Sequence, residues 1–412
     1  MKLRQLRVCL ISREYPPLTN YGGIATFSQH LAAGLVELGH EVDVISLGFD
    51  RDTVQESSPP LRVFRVAILP FGLNPWRLSL GAFALAYSRS VWRKVRELMG
   101  TGFQYDVIDT PDHLGEGFSA VRARRHPLVV RLYSPYSIVL YQLNSRIYRK
   151  NLSYWIIRKM EKSLISKADL VTSPSSNLAG LVKTSFGLTD DIAIVPNPID
   201  LDLFKPRPEL APQGPEVKVL FVGRLEHRKG CQTLVKAIPE VVKDFPAVHF
   251  TLLGSDTPNV EGFPSMKASL IHHLTLNDCL DHVEFHERVT LDELAGIYCG
   301  HDIVVVPSLY DNSPYTCLEA MACGRPVVGT TAGGMPEYLG NDEAGLLTQA
   351  GNERELARAI VKLAASRELR ETMGRRGSER AKKLYSRKYV SERTVELYIE
   401  AIYRFNHERR PG

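Results

Sequence analysis

Two α/β domains built on parallel sheets are what this sequence predicts, on three grounds. Its 412 residues exceed what one hydrophobic core commonly organises. Short β-branched apolar runs alternate with longer stretches of helical periodicity, as in strands joined by crossover helices. Between Ile199 and Pro215, Pro206, Pro208, Pro212 and Gly214 interrupt any regular element and mark a linker. The expected division is residues 1–198 and residues 199–387, followed by a last helix over about 388–412.

The first domain opens with a strand from Leu6 to Ile11. It leads through Arg13, Glu14, Pro16 and Pro17 to Tyr21, Gly22, Gly23 and Ile24, and then to a helix from Ala25 to Leu38. A glycine pair before a helix suits close approach of a phosphate, although most such pairs are only turns. Gly39 and His40 end that helix, and a strand from Glu41 to Ser46 begins at once. Tyr105 to Ile108 is a further apparent strand, with Asp109, Thr110, Pro111, Asp112 and His113 as its turn. Asp112 and His113 are candidates for orienting an acceptor, with capping or turn chemistry as the plainer reading. The strand Leu128 to Leu132 runs into Tyr133.

The second domain starts with Val217 to Val222, which reads as a strand. Gly223 and Arg224 follow, then Arg228, Lys229 and Gly230, then a helix with Leu234, Ala237 and Ile238 on its apolar face. Arg224 and Lys229 supply two cations able to neutralise a diphosphate, while Gly223 and Gly230 let backbone come close to it. The alternative, ordinary surface cations, explains this glycine-turn context poorly. Downstream, Ile303 to Val306 is a buried parallel strand bounded by Asp302 and Pro307, and ligands gather where such strands end. Ser313 is placed to cap the next helix, with Pro314 at its first position, leaving the amides of Tyr315 and Thr316 to face an anion. Glu319 lies about two helical turns beyond Asp311, so both carboxylates can accept hydrogen bonds from sugar or ribose hydroxyls on one side. In the plainer reading Asp311 answers a helix dipole and Glu319 is a solvated charge.

In this order, with Val195-Pro196-Asn197-Pro198-Ile199-Asp200 between the halves, these elements resemble the family-4 retaining glycosyltransferases of the GT-B fold. Further segments fit: Gly39-His40-Glu41-Val42, Lys167-Ala168-Asp169-Leu170-Val171, and Glu319-Ala320-Met321-Ala322 with Gly324, Pro326 and Gly333-Gly334. The resemblance implies two Rossmann-like domains facing each other across a cleft, with the last helix returning to the first domain. It implies that Arg224 and Lys229 bind a donor diphosphate, Glu319 the ribose hydroxyls and Asp311 hydroxyls of the transferred sugar. Gly22 and Gly23 would close over the phosphates from the opposite domain. The sequence departs from the family pattern at two points. Asp311 stands where glutamate is usual, and Tyr133 stands where many members place a histidine. Retaining transfer of this kind lets the departing phosphate oxygen receive the acceptor proton, so stabilising the leaving group matters most. Tyr133 is nevertheless a catalytic candidate, with Asp112, His113 and Asp311.

Charge is uneven: residues 1–200 hold 24 Lys/Arg against 17 Asp/Glu (+7), and 201–412 hold 27 against 29 (−2), summing to the net +5. Positions 77–167 carry 16 basic and 6 acidic residues with Trp92, Tyr148, Tyr154 and Trp155, which suits peripheral contact with anionic lipid or, more plainly, a solvated helical face. No nucleic-acid motif is present. The six cysteines lack C-x-x-C spacing, which fits free thiols in a reducing cytoplasm. No apolar run reaches transmembrane length or forms a secretion signal. His272, His273, His282 and His286 lack metal-ligand spacing, and Asp50-x-Asp52 and Asp200-x-Asp202 fall in a polar loop and the linker, so transfer is expected to need no metal or other cofactor. The expected partners are a nucleotide-sugar donor, with UDP-sugar favoured over GDP-sugar, and a glycan, lipid-linked or small-molecule acceptor. A GT-B phosphorylase, a nucleotide-sugar epimerase and a non-catalytic nucleotide-sugar-binding protein are the alternatives.

Overall fold

The computed structural model describes residues 4–18, 22–48, 52–56, 58–68, 79–100, 102, 104–123, 125–138, 151–260 and 262–407. They form two compact units. One comprises residues up to Pro198 together with the segment that begins at Arg387; the other is Ile199–Ser386. Each unit is Rossmann-like, as the alternating pattern predicts.

The first unit holds β1 (Arg7–Ile11), β2 (Glu41–Leu47), β3 (Thr53–Glu56), β4 (Leu61–Val66), β5 (Val107–Pro111), β6 (Leu128–Arg131), β7 (Leu170–Ser173) and β8 (Ala193–Ile194). They form one sheet in the order β3-β4-β2-β1-β5-β6-β7-β8, parallel except where β3 meets β4. Strand order reverses between β1 and β5, the kind of switch point at which open α/β sheets hold ligands. Alternation along β1 serves both faces: Cys9 and Ile11 join one apolar cluster, Val8 and Leu10 the other.

Two boundaries differ from expectation by more than one residue. The first helix runs Gly23–Glu37, starting at the second glycine rather than at Ala25. β5 continues through Pro111, where a turn was expected. Its ladder to β1 ends at Asp109, and Pro111 pairs with Arg131 on the other side, so the missing N–H leaves no bond unmade. The last helix, Arg387–His407, buries Val390, Val395, Leu397, Tyr398 and Ala401 with Val8, Leu10, Phe27 and Leu31. Ile399 is 42% exposed, because it follows Tyr398 by one residue and turns away from the face Tyr398 presents. The Tyr398 hydroxyl donates to Asp109 Oδ2 at 2.6 Å, and Arg131 pairs with the same carboxylate at 2.8 Å.

Much of the basic character of the first unit is engaged internally. Lys94 is buried against Glu97 and Asp52, and Arg93 also pairs with Asp52. Trp92 packs on the core while Trp155 is exposed. Tyr148 lies outside the described residues. Among the described residues no helix is long and apolar enough to cross a membrane.

The second unit holds β9 (Val217–Val222), β10 (Val248–Leu253), β11 (Pro258–Val260), β12 (Phe263–Ser265), β13 (Val283–His286), β14 (Ile303–Val305), β15 (Val327–Thr330) and β16 (Gly345–Thr348). Its main sheet, β13-β10-β9-β14-β15-β16, is wholly parallel, and β11 and β12 pair separately. Val219 and Phe221 face one core and Leu220 the other, which accounts for the near-continuous apolar run. Here the order reverses between β9 and β14.

Candidate functional site

The carboxyl ends of β9 and β14 carry the residues that the sequence singled out. After β9, Gly223 adopts φ 155°. A short 3₁₀ turn, His227–Lys229, then ends at Gly230, whose φ of 72° is left-handed. A Cβ on Gly230 would lie 1.9 Å from the Pro307 carbonyl oxygen. Gly230 is therefore needed for the β9 turn to close on the loop after β14, a demand that holds apart from any approach to a phosphate.

That closure brings Lys229 Nζ to 2.7 Å from Asp311 Oδ2, with Arg228 Nη1 at 3.7 Å from the same oxygen. Burial opposes the Asp311 charge, but Lys229, Arg228 and the Ser313 amide outweigh it and hold the carboxyl below its usual range. Glu226 accepts from Arg228 at 2.9 Å and lies 3.5 Å from Arg224, whose side chain is 68% exposed. The Asp311 backbone is braced by Gly333: a Cβ there would meet the Asp311 carbonyl oxygen at 2.0 Å.

The helix after this loop is Tyr315–Ala322, and its start differs from expectation. Pro314 is the N-cap, with extended ψ, and no side chain caps the helix. Ser313 does not cap it; its hydroxyl instead bonds the Tyr338 hydroxyl at 2.5 Å. Tyr315 and Thr316 occupy the first turn as expected. Glu319 is not a solvated charge: it is 9% exposed and its Oε2 accepts from the Tyr298 hydroxyl at 2.7 Å. Burial pushes its carboxyl up to about 7, against the pull of Tyr298 and Lys229. Lys229 thus acts on both carboxylates. Tyr298, Arg228 and Glu226 belong to this cluster; sequence reasoning placed Arg228 in the basic turn without giving it a role, and passed over Tyr298 and Glu226.

In the first unit, Gly22 is the extended N-cap of its helix, at φ −106°, and Gly23 opens the helix with nothing within 4 Å of an added Cβ. Tyr21 lies outside the described residues. Asp112 is fully buried and accepts the Tyr133 amide at 3.0 Å, and burial raises its carboxyl well above the usual range. His113 Nδ1 lies 3.3 Å from the Ser134 carbonyl oxygen, and burial and Arg13 lower its pKa to about 4. Tyr133 stacks edge-on against Phe27 with ring centroids 5.3 Å apart, and its hydroxyl bonds Ser28. Around these residues lie two buried glutamates with no sequence signal. Glu116 accepts the Arg13 amide at 2.8 Å, and Glu161 accepts from Leu114, Tyr136 and Ser137. Burial pushes each to about 7.

The aspartate pairs outside these clusters have local partners: Asp52 bonds the Ala67 amide, and Asp200 accepts from the Asp202 and Leu203 amides. Asp50 lies outside the described residues.

Residues 21–203 match the model of Glycosyltransferase Family 4, and residues 216–366 match that of Glycosyl transferases group 1. The chain belongs to the family-4 glycosyltransferases. This glycosyltransferase is 28% identical to the D-inositol 3-phosphate glycosyltransferase of Corynebacterium jeikeium, over 96% of its own length and 97% of the relative. Its fold is GT-B. The sucrose-phosphate synthase from Thermosynechococcus elongatus superposes with a TM-score of 0.79 at 24% identity, covering 97% of this chain and 100% of that one. The Anabaena protein HepE, solved in complex with UDP and glucose, gives a TM-score of 0.68 at 19% identity, covering 95% and 99%.

Proposed function

We propose that this glycosyltransferase moves a sugar, with retention at the anomeric carbon, from a nucleotide diphosphate sugar to a hydroxyl of a glycan, a lipid-linked carrier or a small molecule. One observation carries the reading: Lys229 sits 2.7 Å from Asp311 and acts also on Glu319, beyond the carboxyl ends of β9 and β14. In this reading the donor diphosphate takes Lys229 and Arg224 as counter-ions, with Arg228 beside them and the Tyr315 and Thr316 amides and the Ser313 hydroxyl at the helix start. Glu319 accepts from the ribose hydroxyls and Asp311 from a hydroxyl of the transferred sugar. Gly22 and Gly23 serve the phosphates from the first unit.

As the bond from the anomeric carbon to the diphosphate oxygen breaks, the acceptor oxygen bonds that carbon on the same face. The acceptor proton passes to the departing oxygen, so the main demand on the protein is to stabilise the diphosphate. Cytoplasmic placement, with peripheral contact to a membrane through the basic 77–167 segment, belongs to the same reading. The test is calorimetric titration with UDP, GDP and ADP, followed by NMR of the product's anomeric proton with the matching sugar donor. A product with the donor's configuration is expected. Binding without any transfer, transfer that requires inorganic phosphate, or an inverted product would overturn the proposal.

A further inference from the structure

The second unit holds a cavity of about 470 Å³ that this function does not use. Asp302 precedes β14, and Arg325 and Pro326 precede β15, so the cavity opens at the amino ends of the same parallel strands whose carboxyl ends carry the Lys229 turn and Asp311. Its walls are the proline-rich segment that enters the unit and the helix Arg367–Leu384.

Five cations and three carboxylates line it. Arg367 pairs with Glu371 at 2.8 Å, Arg370 with Asp302 at 3.5 Å and Arg375 with Glu379 at 4.0 Å. Those pairs use every carboxylate on the lining. Among the described residues Arg325 and Lys382 remain without an anionic partner, and the Arg325 Nε is buried with no hydrogen bond.

We propose that this cavity binds a small phosphomonoester, its phosphate held by Arg325 and Lys382. Two unmatched cations suit a dianion; a carboxylate would answer only one of them. The guanidinium fork matches phosphate geometry, and the volume lies in the range that encloses small-molecule ligands. The Arg325 amide donates to the Ala320 carbonyl at 2.9 Å, so the ligand contacts a residue tied to the helix that carries Glu319.

The test is calorimetric titration of the full chain with ribose 5-phosphate, using ribose and inorganic phosphate as comparisons. Ribose 5-phosphate should bind and ribose should not; inorganic phosphate binding as tightly would assign the site to free phosphate instead of an ester. Lys382→Ala, on an exposed residue, and Arg325→Gln, checked by its melting curve, should each weaken binding at least tenfold. Lys229→Ala should leave it unchanged. Binding that survives both cavity variants, or that is lost in Lys229→Ala or under saturating UDP, would overturn the proposal, as would no binding of either phosphate.

Discussion

Lys229→Ala separates the two services that this side chain performs. The ammonium lies 2.7 Å from Asp311, with the two side chains 21% and 14% exposed, so its loss leaves a largely buried carboxylate with Arg228 as its remaining cation at 3.7 Å. An unmatched buried charge of this kind costs about 1–3 kcal/mol, which for a domain of this size is a fall of roughly 2–12 °C in melting temperature. The donor loses a separate quantity. A charge-assisted hydrogen bond is worth about 1.5–3 kcal/mol, so the nucleotide Kd should rise by roughly 10- to 150-fold. The double variant Lys229→Ala/Asp311→Asn tells them apart, since neutralising Asp311 removes the stability defect without restoring a cation to the diphosphate. Circular-dichroism melts and UDP titrations on both variants supply the measurements. Nucleotide affinity that returns to wild type in the double variant would refute the reasoning, because Lys229 would then act only through Asp311.

Glu116, Glu161 and Glu319 each have a folded pKa near 7, above the ordinary 4.5, because of burial. The native state therefore keeps protons that the unfolded chain releases, so this contribution to stability is full below about pH 4.5 and is lost as pH rises through about 7. Melting temperature should decline between about pH 5 and pH 8, and replacing Glu161 by Gln should flatten that slope; an unchanged slope would contradict the burial assigned to it. Gly230→Ala places a Cβ 1.9 Å from the Pro307 oxygen at φ 72° and should destabilise the unit by more than about 2 kcal/mol in urea denaturation. A variant of wild-type stability with weakened donor affinity alone would instead return Gly230 to the phosphate-approach role.

The architecture was legible because β-branched runs such as Val217–Val222 and Ile303–Val305 are buried on both faces and have little alternative to a central parallel strand. Lys229 and Asp311 were legible for a related reason: they follow strand ends in glycine- and proline-marked turns, and strand ends at a reversal of order gather chemistry. Side-chain partnerships were not. Glu161 sits in a helix among lysines and reads as a surface charge, yet the loop amides of Leu114, Tyr136 and Ser137 converge on it from distant sequence. The Ser313 hydroxyl was assigned to the nearest helix start, but Tyr338, 25 positions away, takes it. Propensity describes neighbours along the chain, and these contacts are made across it.

The seating of the last helix has a consequence for how the chain is made. Val390, Val395, Tyr398 and Ala401 complete the cluster around Val8, Leu10 and Leu31, and Tyr398 closes on Asp109. During synthesis this face of the amino-terminal sheet, covered by Phe27, Leu31 and Leu35 of the first helix, therefore stays incompletely covered until residues 387–407 have been made. The later unit, Ile199–Ser386, has its own two clusters complete before that helix emerges. The second unit can thus complete its core while the first still lacks the helix Arg387–His407, the reverse of the usual order in which amino-terminal domains close first.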